Sequence, residues 1–149
     1  MISRRILIAC ALIILIAFDV AVWAYLLTSS YRFGNVAHLK TVGVAVYADQ
    51  ACTQKLYNIS WGILEPGHVK NVTVYVRNEG NVAEILSMYV ENWNPQNVSD
   101  WLLLTWDANG EIVQPEDSAT ASFNLAVDAS IPHSFKDFSF DIVVVGVEQ

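Results

Sequence analysis

Residues 6–27 are apolar apart from one charge, Asp19, and they follow directly on Arg4 and Arg5. A helix of that length covers about 30 Å, the thickness of the hydrocarbon layer of a bilayer. The run therefore divides the chain, and whatever follows is delivered to a membrane or across one. Positive charge at Arg4, Arg5 and the amino terminus orients the segment with its N-terminus in the cytoplasm and the C-terminal part outside. Arg32 and Lys40, on the far side, weaken that bias slightly. Trp23 and Tyr25 stand where interfacial aromatics belong if the helix is retained. Asp19 lies past the middle of the span, where a carboxylate costs less than the roughly 2.5–3.5 kcal/mol of a central charge.

Asp19 also permits a second parse. Residues 6–18 match the apolar core of a secretory signal, and Val22-Trp23-Ala24 offers a cleavage site with bulky Trp23 in its tolerant middle position. The run is either a retained single-pass anchor (residues 1–27) or a signal cut near Ala24. In both cases residues 28–40 are expected as a stalk or N-terminal arm, and 41–149 as one extracytoplasmic domain.

Without Arg4, Arg5 and Asp19, the 8 basic and 15 acidic residues of the chain fall to 6 and 14. An acidic exported domain argues against nucleic acid and anionic lipid headgroups as partners. Cys10 lies in the apolar run and Cys52 beyond it, so the two cannot staple the domain. Its stability must come from an apolar core.

The exported part alternates apolar and polar residues. Val42, Val44 and Val46 share one face, as do Val72, Val74 and Val76, and again Ala121, Phe123, Leu125 and Val127. Period-two patterning rich in β-branched and aromatic residues predicts half-buried strands. Strands are expected at 40–48, 57–62, 68–78, 83–93, 101–106, 111–114, 118–127 and 137–147. Turn signals separate them: Glu65-Pro66-Gly67, residues 78–81, Asn94-Pro95, Asn109-Gly110 and Gln114-Pro115. Asn109-Gly110 reads as a two-residue hairpin. The fold class that follows is mostly β: an N-terminal transmembrane or signal helix, then an antiparallel β-sandwich of about seven to nine strands, jelly-roll or immunoglobulin-like. Trp61, Trp93, Trp101 and Trp106 are expected as core and sheet-edge packing.

Chemistry is sparse. His38, His68 and His133 are scattered and belong to no zinc motif. Asp107, Asn109 and Glu111 have oxygens at a spacing partly like a calcium loop, without the full ligand set; a turn accounts for the same residues. No serine has a nucleophile-elbow context. No cofactor is expected. Three sequons, at Asn58, Asn71 and Asn97, make surface glycans possible on an exported domain.

The stretch Trp61-Gly62-Ile63-Leu64-Glu65-Pro66-Gly67, followed by Val72-Thr73-Val74-Tyr75-Val76 and Asn78-Glu79-Gly80-Asn81, resembles a run in small exported β-sandwiches. One such group is the camelysin/TasA-like family with its archaeal bundling-pilus relatives. Another is the set of CARDB-like and immunoglobulin-like surface adhesion modules. The resemblance to the filament relatives implies assembly by strand exchange, in which the arm of one subunit, released by cleavage near Ala24, inserts into its neighbour; with the helix retained, residues 28–40 are only a stalk. The segment it points to is residues 31–46, carrying Phe33, Val36 and Leu39 ahead of Val42, Val44 and Val46, with a change of phase between the two sets. The peptidase classification of camelysin-like proteins is not carried over, because no peptidase motif is present.

The expectation is a non-enzymatic protein of the cell surface, membrane-anchored or secreted, with a structural or adhesive role. Its partners would be the membrane, further copies of itself or another surface protein. The alternatives are a module binding sugars or divalent cations, an accessory subunit of a membrane complex, or, more weakly, an envelope hydrolase.

Overall fold

The computed structural model describes residues 34–149. The anchor residues Arg4, Arg5, Asp19, Trp23 and Tyr25, the thiol Cys10 and the arm residue Phe33 lie outside them. The described residues fold as a mostly β, two-sheet sandwich. Its strands are β1 (Gly34–Val42), β2 (Val44–Tyr47), β3 (Asn58–Ser60), β4 (Val69–Asn78), β5 (Glu84–Asn94), β6 (Leu102–Trp106), β7 (Ile112–Val113), β8 (Ser118–Val127) and β9 (Asp137–Glu148). One sheet runs β3-β1-β9-β5-β7 and the other β2-β4-β8-β6. A 3-10 turn over Gln96–Asp100 drops Val98 into the core. Among the described residues no helix is long and apolar enough to cross a membrane.

The alternation of apolar residues places the core. In β4, Val74 and Val76 point inward, and in β8 Ala121, Phe123 and Leu125 do. Facing them from the other sheet are Leu86 of β5 and Phe140, Ile142 and Val144 of β9, all fully buried. Trp93 lies 4.4 Å from Phe140 and Trp106 stacks on Phe123 at 5.8 Å, centroid to centroid. The tryptophans thus pack as core and sheet-edge groups. The Glu65-Pro66-Gly67 turn forms as its residues dictate: His68 N–H donates to Glu65 O, and Gly67 takes the left-handed φ of +78°. After β4, Asn78 closes the next turn by accepting from Gly80 N–H at 2.8 Å.

Four expectations need correction. The segment 40–48 is not one strand: β1 and β2 are broken at Gly43 (φ +79°) and belong to different sheets. A side chain at Gly43 would meet Gly146 O at 2.8 Å, so only glycine turns this corner. Residues 34–40, expected as stalk or arm, are part of the sandwich as β1. The sandwich is not wholly antiparallel, because β1 runs parallel to β9 over nine residue pairs, Gly34↔Asp137 to Val42↔Val145. The chain must enter β1 in the direction that carries it on, through Gly43, to pair antiparallel with β4. Finally, Asn109-Gly110 turns the chain but makes no hairpin. It carries the chain from β6 in one sheet to β7 in the other, and Gly110 N–H donates across to Leu86 O.

Trp61 is 3% exposed at the end of β3, and its Nε1 has no hydrogen-bond partner among the described residues. Trp61→Ala should therefore lower the unfolding free energy by about 3–5 kcal/mol in urea titrations. Trp61→Phe, which deletes the unpaired N–H and keeps most of the apolar ring, should cost much less. A loss below about 1 kcal/mol for the alanine variant would place the ring outside the core.

Candidate functional site: the seat of the first strand

The first strand is held as an interior member of its sheet. On one side lies β9, about a hundred residues later in the chain; on the other, β3 pairs antiparallel from Val36↔Ser60 to His38↔Asn58. Leu39 N–H also donates to Tyr57 O at 2.7 Å. Asn35, Ala37 and Leu39 point into the core, while Val36, His38 and Lys40 face out. Of the six apolar residues named for the exchanging segment, Leu39, Val44 and Val46 are buried. Val36 and Val42 are exposed, and Phe33 is not described. The change of phase seen in the sequence is the Gly43 corner, beyond which all four residues of β2 are buried.

Side chains reinforce the seat on the outer face. Lys40 Nζ lies 2.6 Å from Asp141 Oδ2 on β9 and 2.9 Å from Glu91 Oε1 on β5, spanning three strands. Asn92 Nδ2 donates to the same Asp141 oxygen at 2.7 Å. The Asn92 amide, then the Lys40 ammonium, hold the Asp141 carboxyl below the usual carboxylate range. Asp141, and secondly Glu91, push the Lys40 ammonium above its ordinary value. His38 Nδ1 is 2.8 Å from Asn58 Oδ1 and donates to it in the Nδ1–H tautomer. At the foot of the strand, Val36, Asn94, Pro95, Asp137, Phe138 and Ser139 line a shallow hollow of about 260 Å³.

The other sequence candidates are dispersed. Asp107 Oδ1 accepts from Ser122 N–H at 2.7 Å, which ties down the β6–β7 turn, and Asn109 and Glu111 are exposed beside it. Among the described residues no three His, Cys, Asp or Glu side chains are grouped to hold a metal ion. Asn58, Asn71 and Asn97 are all solvent-exposed, on β3, β4 and the 3-10 turn respectively. Cys52 is half-buried in the β2–β3 loop, its Sγ 3.8 Å from Gln50 O. A second tether holds β2: the Tyr47 hydroxyl donates to Glu79, which also pairs with Lys55 at 2.9 Å.

No family model matches the chain, and no curated relative does either.

The Lys40–Asp141–Asn92 cluster was not singled out in the sequence. Its one sequence signal is an aspartate inside the apolar run of β9. Glu84 was not singled out either, although it falls on the inward phase of Leu86, Met88 and Val90.

Lys40→Met keeps the aliphatic stem and removes the charge. It should lower the denaturation midpoint, with the difference from the parent chain shrinking in high salt because Lys40 is half-exposed. The Asp141 carboxyl has a depressed folded-state pKa, so its contribution is present above about pH 4 and is lost as pH falls through the lower folded value. The parent midpoint should therefore drop on acidification in that window, and the drop should be smaller in Lys40→Met. Identical pH profiles would remove Lys40 from the account.

Proposed function

We propose that this chain is a non-enzymatic surface protein whose immunoglobulin-like sandwich assembles, or attaches to the envelope, by exchanging its first strand between copies. Residues 6–27 export it and, where retained, tether it to the membrane. The arrangement of strands supports the immunoglobulin-like reading over a jelly roll. Strands β2, β4, β8 and β6 follow the order of the A, B, E and D strands of one immunoglobulin sheet, while β5 and β9 take the places of C and F. The two-residue β7 is an addition. The place beside F, where the G strand belongs, is taken by β1.

One observation carries the proposal: β1 occupies that place parallel to β9, over nine pairs, although it comes from the opposite end of the described residues. Its bonds to β9 and β3 are main-chain bonds between segments far apart in sequence. A β1 from a second copy would make the same bonds with the same side chains in the same seats. Exchange of an identical element is a low-cost route to association, because each bond broken within one copy is re-formed between two. The acidic surface fits a molecule kept apart from nucleic acid and from anionic lipid.

Tying β1 to its own β9 tests this. Val36 and Ser139 are register partners on neighbouring strands, within bridging distance for a disulfide. A full-length chain carrying Val36→Cys and Ser139→Cys, with Cys10→Ser and Cys52→Ser, should form concentration-dependent polymers when reduced and none when oxidised, as read by electron microscopy and sedimentation. Polymers that persist undiminished in the oxidised sample would contradict the proposal.

A further inference from the structure

The corner between β1 and β2 is closed over a buried acid. Glu84, the first residue of β5, is 6% exposed, and its Oε2 has no hydrogen-bond partner among the described residues. Two glycines, Gly43 and Gly146, leave room for its carboxyl group, and a third, Gly80, borders it at ordinary contact distance. A Cβ at Gly43 would lie 2.9 Å from Glu84 Oε1. One at Gly146 of β9 would collide with Oε2 and stand 2.7 Å from Val44 Cγ1. Gly80, from the turn after β4, flanks Oε1, and a Cβ there would be 3.7 Å from it. The carboxyl group is therefore wedged between the corner residue, the central strand and the β4–β5 turn.

Among the described residues the surroundings offer it no cation. Across the sheet, Glu84 is paired with Val113 of β7 and with Glu148 of β9, the latter a second carboxylate. From the β4–β5 turn the facing polar group is Asn78, whose amide is spent on Val82 O, Val113 O and Gly80 N–H. From the corner itself come only Gly43 and Val44. Glu79, next along the turn, is engaged with Tyr47 of β2 and with Lys55 of the β2–β3 loop. An ionised, unpaired carboxylate in this position is costly and is relieved in only two ways: by a proton, or by opening to water.

We infer that Glu84 is the latch of this corner: as a neutral acid it lets Gly43 sit down and β1 stay seated, and on losing its proton to water it lifts the corner and frees the first strand for a second copy. The part concerning a second copy rests on the strand-exchange reading above. At the corner, Gly43 alone joins a strand of one sheet to a strand of the other. Burial, and secondly the Glu148 charge, push the Glu84 carboxyl above its ordinary value. A group harder to ionise when closed than when open favours the closed form while it is protonated. That advantage is full at acidic pH and disappears as pH rises through the closed-state value.

The test uses the full-length chain in detergent micelles, as the parent and as Glu84→Gln and Glu84→Met, at about pH 5 and about pH 8. The first readout is amide hydrogen-exchange protection of residues 34–42, corrected for intrinsic exchange, with β4 and β8 amides as internal controls. The second is mixing of two fluorescently labelled populations. In the parent, protection of residues 34–42 should fall severalfold between the two pH values, ahead of the controls. Mixing should accelerate in parallel. In both variants, which cannot ionise, protection should be independent of pH. A flat parent profile, or variants that retain the parent's fall, would overturn the latch. If protection follows pH in the parent and is flat in the variants, but labelled copies never mix, the latch stands and strand exchange falls.

Discussion

Main-chain hydrogen bonding between β9 and a strand from the far end of the described residues holds the rest of this structure in place. The last strand lies at the centre of its sheet, with β5 antiparallel on one side and β1 parallel on the other. Its inward residues Phe140, Ile142 and Val144 meet Phe123 and Leu125 across the sandwich, so the core forms around a strand that is useful only when both neighbours are present. Bringing β1 to β9 closes a loop of about a hundred residues. The entropy of that closure grows slowly with length but is incurred before any contact repays it. Every other pairing in the five-stranded sheet is either shorter or depends on β9.

The same geometry decides where the molecule is open to partners. Among the described residues the outermost strands are short: β3 has three residues, β7 two, β2 four and β6 five, with β7 covering only Glu84 and Ile85 of β5. Short edges protect a sandwich from indiscriminate pairing. The long ladder on the β1 side of β9 is already occupied, by a segment of the same chain. Lys40, bridging to Asp141 and Glu91, and Gly43, turned over Glu84, fasten that segment at two points of opposite electrostatic character. The first fastening is a charged cluster that needs ionised carboxylates. The second is a neutral acid that must not ionise. Between them lies the range of pH in which the strand is held most firmly.

Much of the architecture was legible in the alternation of residues. The period-two runs at Val72, Val74 and Val76 and at 121–127 marked β4 and β8 to within a residue, and the expected bounds of β5, β6 and β9 also agree closely. The β1 strand was not legible in this way. Two of its three inward residues are Asn35 and Ala37, which do not look like core, while the eye-catching Val36 and Val42 face solvent. Its partner could not be read from local pattern either, because parallel pairing to β9 is imposed by closure of the whole sheet. For the same reason Asn109-Gly110 looked like a hairpin: the turn is local, but the strands it joins find partners elsewhere. Lys40, Glu91, Asn92 and Asp141 come from three strands whose adjacency no spacing reveals. Glu84 is an acid on an apolar phase, a signal that points to a group buried at a cost.

The most direct measurement compares two soluble fragments by thermal melting in near-ultraviolet circular dichroism, one spanning residues 34–149 and the other 43–149. If β1 completes the sandwich, the longer fragment melts cooperatively. The shorter one loses fixed tertiary packing and regains it when a synthetic peptide of residues 34–42 is added. A shorter fragment that melts as cooperatively and at the same temperature as the longer one, indifferent to the peptide, would contradict the account.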